Sequence, residues 1–134
     1  MIPGPYTFIL PATREVPRLL QHPKKKTVGI RVPDYPICLE IIKSVSNPLT
    51  AITARLDNVE YGNPSDASRE LFLSRFDHMV DVTIDNQQPL PSENTTVLDL
   101  TGDRPGLIRR GLGMNNLYET LSFLGIEMEE PAEV

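Results

Sequence analysis

The stretch that most constrains this chain is Thr27-Val28-Gly29-Ile30-Arg31-Val32-Pro33-Asp34-Tyr35-Pro36. Its first six residues alternate as a β-strand does, so Val28, Ile30 and Val32 point to one side while Thr27, Gly29 and Arg31 point to the other. A strand that only fills a core has no use for an arginine in the middle of its pattern. Arg31 brings a planar, permanently charged fork suited to a carboxylate or a phosphate, and Gly29 beside it lets a ligand come close to the backbone. Pro33 ends the ladder because it has no N–H to donate. These ten residues by themselves fit an edge strand with a solvated arginine, or a strand with an apolar face for the core and a polar face for a ligand.

The chain has 134 residues, 40% of them hydrophobic, which suits one domain with a modest core. A formal net charge of −5 argues against general attraction to nucleic acid and leaves only a local basic patch such as Lys24, Lys25 and Lys26. One cysteine, Cys38, cannot form an internal disulfide, and with His22 and His78 as the only histidines there is no ligand cluster for a structural zinc ion. No apolar run approaches the length of a membrane span, and Met1 to Pro5 has neither the charged start nor the apolar run of a signal peptide. The expectation is a cytoplasmic protein with no membrane and no metal site.

In chain order, Tyr6 to Leu10 reads as a strand between the Pro3-Gly4-Pro5 turn and Pro11. Thr13 is the expected N-cap of a short helix whose Leu19 and Leu20 face inward. After the Thr27–Val32 strand, Pro36 opens a helix with Ile37, Ile41 and Val45 at four-residue spacing, which Asn47-Pro48 stops. Leu49 to Thr53 is the expected third strand. Ser65 or Asp66 caps a helix whose buried side is Leu71, Phe72, Arg75 and Phe76, and Val80, Val82 and Ile84 alternate as a fourth strand. Asn86 to Asn94 reads as a surface loop, Thr95 to Leu100 as strand five and Gly106 to Arg110 as a short partner. Asn115 is the expected cap of a last helix carrying Leu117, Leu121 and Leu124, followed by an acidic tail that frays. Strands alternating with helices give an α/β domain with a mixed sheet.

Familiar catalytic patterns are absent: no phosphate loop ending in Lys-Ser or Lys-Thr, no Gly-x-Gly-x-x-Gly, no His-Glu-x-x-His and no Gly-x-Ser-x-Gly. Cys38 falls on the apolar face of a helix and reads as a structural thiol, and His22 and His78 read as solvated or capping residues. No residue stands out as a nucleophile. What remains on or beside strands is a set of hydroxyls and guanidinium groups: Thr7, Arg31, Thr53, Thr95 and Arg109.

Four ordered blocks then carry a resemblance: Pro3-Gly4-Pro5-Tyr6-Thr7-Phe8-Ile9-Leu10, Lys26 to Asp34, Thr95-Thr96-Val97-Leu98-Asp99-Leu100-Thr101, and Arg109 followed by Gly111. In order and spacing they resemble the YrdC/YciO-like family, nearer its YciO-like branch. The resemblance implies a YrdC-like three-layer α/β fold, a twisted mixed sheet with helices on both faces, spanning residues 1–125 with an acidic tail at 126–134. It implies synthesis of L-threonylcarbamoyladenylate from L-threonine, bicarbonate and ATP, with Mg2+ carried by the phosphates and pyrophosphate released, toward modification of adenosine 37 in tRNA. Thr7 would then belong to the substrate pocket and Arg31 would hold a carboxylate or phosphate. Thr53 would keep one hydroxyl of the family's Ser-x-Asn element, Thr95 would meet the nucleotide, and Arg109 would offset phosphate charge. The alternative implied by the same resemblance is a non-catalytic module for tRNA or double-stranded RNA, using Lys24 to Lys26, Arg31, Arg55 and Arg109.

The sequence departs from the family at Arg55, where an asparagine is usual, and at Tyr35, where many members have histidine. It also starts at the Pro-Gly-Pro block, which the family reaches after about a hundred residues that include a Lys-x-Arg element. The expectation drawn from this is a domain incomplete at its N-terminus, inactive alone, that self-associates or pairs with a missing N-terminal half through an open edge at Tyr6 to Leu10.

Overall fold

The computed structural model describes residues 1–54, 66–88 and 93–130. Residues 1–50 and 94–134 form one compact unit and residues 51–93 another.

The first unit is built on a four-stranded sheet in the order β2-β1-β3-β4, with β1 at Tyr6–Pro11, β2 at Thr27–Ile30, β3 at Thr96–Asp99 and β4 at Gly106–Arg109. β1 is antiparallel to β2 (Phe8 opposite Ile30, Leu10 opposite Val28) and parallel to β3 (Tyr6 opposite Thr96, Phe8 opposite Leu98), and β4 runs antiparallel to β3. The sheet is therefore mixed, as the spacing of the strands predicts. β1 is not an edge. It is paired on both sides, so the expected association through Tyr6 to Leu10 is overturned: the parallel partner for β1 comes from a segment almost ninety residues downstream.

The alternation in β1 and β3 divides the sheet into two faces. Tyr6, Thr96 and Leu98 point to one side and are buried, together with Leu107 from β4. Helix α3, Met114–Leu124, closes this face by inserting Leu117 and Leu121, and Phe8, Leu100, Met114 and Met128 pack around the cluster. Its N-cap is Gly113, not Asn115; Gly113 sits at φ +86°, and its carbonyl accepts a hydrogen bond from the Tyr6 hydroxyl at 2.8 Å. A side chain at Gly113 would be strained and would also strike that tyrosine. Leu124, expected inward, is 57% exposed, because the helix ends there at Gly125 in the left-handed region.

Helix α1, Pro36–Val45, follows the reading of the sequence, with proline in its first turn and Ser46 as a left-handed C-cap. No residue of α1 is buried; Ile37, Cys38, Ile41 and Ile42 are half-buried. The short helix expected after Thr13 is a single 3-10 turn, Arg18–Leu20, whose Leu19 is 94% exposed. The segment after α3 is not frayed as far as Glu130. Glu129 bridges to Gly106, its N–H reaching the Pro105 carbonyl and its carbonyl accepting from Leu107 N–H, both at 2.8 Å.

In the second unit, helix α2 spans Asp66–Phe76. Phe72 and Phe76 pack with their rings tilted at 45° and 4.7 Å between centroids, while Leu71 and Arg75 are exposed. Arg69 binds Asp85 through both carboxylate oxygens, and that guanidinium holds the Asp85 carboxyl below its ordinary value. The expected strands at Leu49 to Thr53 and at Val80 to Ile84 do not form. Leu49, Ile52, Val82 and Ile84 are exposed, and alternation without a neighbouring strand to pair with makes no sheet. The expected caps of α2 and part of the Asn86 to Asn94 loop lie outside the residues whose side chains are described.

Candidate functional site

The face of the sheet opposite α3 has a different character. β1 contributes Thr7 and Ile9 to it, β3 contributes Val97 and Asp99, and β2 contributes Thr27 and Gly29; none of them is buried. At its lower end three polar groups converge. The Thr7 hydroxyl lies 3.4 Å from the Thr95 hydroxyl, and the Arg109 guanidinium donates to both the carbonyl (Nε, 3.1 Å) and the hydroxyl (Nη2, 3.1 Å) of Thr95. Gly29 is exposed, and a Cβ placed there would touch the Thr7 methyl at 3.4 Å, so the lack of a side chain keeps the space beside Thr7 clear.

Arg109 reaches this face because β4 is irregular. Leu98 pairs with Leu107 and Val97 with Arg109, so one step along β3 is matched by two along β4. In a regular strand Leu107 and Arg109 would share a side. The extra residue, Ile108, makes a bulge that leaves Leu107 in the core and turns Arg109 to the opposite face. Strict alternation over Gly106 to Arg110 hid this, and a bulge leaves no dependable mark in a single sequence.

Behind the cluster, the backbone is held at close range. Gly111 lies so near the Asn94 carbonyl and the Thr95 backbone that a Cβ would collide with both. The chain is drawn in by Leu112 N–H on the Asn94 carbonyl at 2.9 Å and by the buried Thr96 hydroxyl on the Leu112 carbonyl at 2.7 Å. Gly111 is thus what lets Thr95 and Arg109 stand on a fixed support. Farther along the same face Asp99 accepts from the hydroxyl (2.6 Å) and amide (2.9 Å) of Thr101, and these bonds hold its carboxyl below the ordinary value, with a smaller contribution from the charge of Lys25.

Of the five residues singled out in the sequence, Thr7, Thr95 and Arg109 come together. Arg31 directly follows β2, exposed, next to Val32 whose carbonyl accepts from the Gly4 amide at 2.9 Å; among the described residues its guanidinium has no partner. Thr53 is exposed in the second unit. Arg55 lies outside the described residues. Cys38 is a half-buried free thiol on α1, and His22 is a capping residue: its Nδ1 accepts from the amides of Lys24 (3.3 Å) and Lys25 (3.1 Å). No group of three or more histidine, cysteine or acidic side chains that could hold a metal occurs among the described residues. No helix among them is long and apolar enough to cross a membrane.

The arrangement offers hydroxyl donors and a guanidinium held by its own chain, on a rigid sheet. Such a set suits an anionic oxygen ligand and supplies no nucleophile.

Comparison with known proteins follows the same lines. The Sua5/YciO/YrdC family model, described as telomere recombination, matches residues 1–111. An uncharacterised protein of Haemophilus influenzae is 42% identical over 111 residues, which cover 83% of this chain and 52% of that protein. A threonylcarbamoyl-AMP synthase of Pyrococcus abyssi is 32% identical over 109 residues, 81% of this chain and 31% of the enzyme. Among solved structures, Escherichia coli YciO superposes with a TM-score of 0.70 at 38% identity, covering 83% of this chain and 52% of that one. Pyrococcus abyssi Sua5 complexed with L-threonine gives 0.72 at 29% identity, covering 96% and 36%. The chain spans about half the length of the curated YciO-like relatives it matches.

Proposed function

The chain belongs to the Sua5/YciO/YrdC family, and we propose that its sheet carries part of a nucleotide and amino-acid site of the threonylcarbamoyl-AMP synthase kind. The observation that carries this reading is the convergence of Thr7, Thr95 and Arg109 on one sheet face. In the reaction, carbamate oxygen attacks the α-phosphorus of ATP, a P–O bond forms to the threonylcarbamoyl group, and the bond to the leaving pyrophosphate breaks. The negative charge that builds on the phosphoryl oxygens needs fixed positive groups and hydroxyl donors more than it needs a nucleophile. Arg109 has an Nη1 that its bonds to Thr95 leave available for phosphate oxygen, and Arg31 offers a whole fork for a carboxylate or a phosphate. A magnesium ion would be carried by the phosphates, since the described residues gather no carboxylate cluster for it.

The chain spans about half the length of its YciO-like relatives, so ligand binding and turnover are tested separately. The test is to incubate the chain with ATP, L-threonine, bicarbonate and Mg2+, alone and with a polypeptide corresponding to the unmatched half of a relative, and to follow pyrophosphate. The expected result is no release alone and release in the mixture. Absence of release in both, together with no ATP binding, would end the reading.

A further inference from the structure

Leu107 and Arg110 are held on the same side of the sheet. Leu107 is 2% exposed in the cluster under α3, and the Arg110 guanidinium reaches the same helix, 5.9 Å from the centre of the Tyr118 ring and 2.7 Å from a carboxylate oxygen of Glu130. In a regular strand, residues three apart point to opposite faces, so both can be held toward α3 only if the chain gains one residue between them. That residue is Ile108. Once Arg110 is turned toward α3, its neighbour Arg109 faces away, toward Thr95. The hold on Arg110 and the orientation of Arg109 are two ends of one constraint.

The hold is anchored by the segment that carries Glu130. Residues 126–130 run along the outer edge of β4, where Glu129 donates its N–H to the Pro105 carbonyl and accepts from the Leu107 N–H, both at 2.8 Å. Met128 packs against the core cluster, and Arg104 holds Glu127 at 2.5 Å. Glu130 is fixed from two directions, since one oxygen accepts from the Tyr118 hydroxyl at 2.8 Å while the other meets Arg110. The ion pairs are exposed and contribute little alone, so the backbone pairing and Met128 are what keep Glu130 within reach. β4 itself, four residues with a bulge, has few bonds of its own to hold this register.

We infer that Glu130 and Tyr118 are positioning residues for Arg109: by holding Arg110 toward α3 through the strap of residues 126–130, they enforce the β4 bulge that presents the Arg109 guanidinium on the polar face. Both act from the other side of the sheet, and both lie beyond the residues matched by the family model, 1–111. The inference deepens the nucleotide-site reading, and its ATP measurement rests on that reading; its ligand-free measurement does not.

The experiment uses the whole 15N-labelled chain and follows the Arg109 Nε–H signal, which reports the bond to the Thr95 carbonyl with no ligand present. In Tyr118→Phe/Glu130→Gln the signal is expected to move toward that of a free guanidinium and to exchange faster, and ATP to bind roughly threefold more weakly. Charge alone dictates the reverse, because Glu130→Gln removes a negative charge and should tighten the binding of an anion. Glu129→Pro takes away the N–H given to Pro105 and is expected to weaken ATP binding roughly tenfold, whereas Glu129→Gln keeps that N–H and should leave the Arg109 signal as in the parent. The Leu117 amide reports whether each variant is folded; if Glu129→Pro does not fold, Tyr118→Phe/Glu130→Gln decides. An Arg109 signal unchanged in the folded variants would overturn the inference, and so would tighter ATP binding by Tyr118→Phe/Glu130→Gln. If the parent itself binds no ATP, the nucleotide-site reading fails and the Arg109 signal alone judges the positioning role.

Discussion

The two faces of the sheet in residues 1–50 and 94–134 are made by the same four strands and do opposite work. One face puts Tyr6, Thr96, Leu98 and Leu107 under Leu117 and Leu121 of α3, each at most 8% exposed. The other carries Thr7, Gly29, Thr95, Asp99 and Arg109, with no buried member. Neighbours in the chain are split between them: Tyr6 from Thr7, Thr95 from Thr96, and, through the bulge at Ile108, Leu107 from Arg109. What this teaches is that the supports of the candidate site are its own sequence neighbours on the core side. Substitutions on the two faces should therefore separate stability from binding.

The sharpest way to break the comparison is Leu117→Ala. Leu117 is fully buried, and its loss should cost about 2–5 kcal/mol, read as a lower denaturant midpoint. If it costs less than the same change at Leu124, which is 57% exposed, the core face has been misplaced. Thr96→Val comes next. It keeps the shape but leaves the Leu112 carbonyl without its 2.7 Å donor, an expected loss of about 1–3 kcal/mol. This variant should also weaken ligand binding, because Leu112 is part of the support behind Thr95. Arg109→Ala should do the reverse: its bonds are exposed, so unfolding should change by less than about 1 kcal/mol while anion binding is lost. The smallest effect concerns pH at the β4 edge. The Glu130 carboxyl is held below its ordinary value, first by the Tyr118 hydroxyl at 2.8 Å and then by Arg110. A depressed carboxyl adds stability that is complete above the ordinary glutamate value of about 4.3 and is lost as pH falls through its lower folded value. Exchange at the Leu107 amide should therefore quicken relative to the core in that acid window, and Glu130→Gln should flatten the response.

Much of this was legible in the sequence, and the parts that were not have identifiable causes. β1 and β2 read correctly because alternation agreed with proline near their ends, β3 and β4 were placed in the chain though the bulge in β4 was not, and α1 read correctly because Pro36 marked its first turn. Val80, Val82 and Ile84 alternate equally well but stay exposed, since period two describes a residue pattern and not the partner strand it requires. The position of β1 within the sheet could not be read from its place in the chain, because parallel pairing to β3 depends on contacts far apart in sequence. Thr7, Thr95 and Arg109 were found as strand residues with ligand chemistry. The bulge that turns Arg109 to their side, and the close approach at Gly111, were not readable from spacing. Thr53 belongs to a segment whose alternation suggests a strand that does not form.

The central claim is that the polar face binds a nucleotide through Thr7, Thr95 and Arg109. The direct measurement is an amide NMR titration of the 15N-labelled chain with ATP, repeated with Arg109→Ala. The account predicts saturable shifts at Thr7, Gly29, Thr95 and Arg109, little change at Leu117 and Leu121, and loss of the response in the variant. Shifts centred elsewhere, or an Arg109→Ala chain that binds ATP as well as the parent, would contradict it.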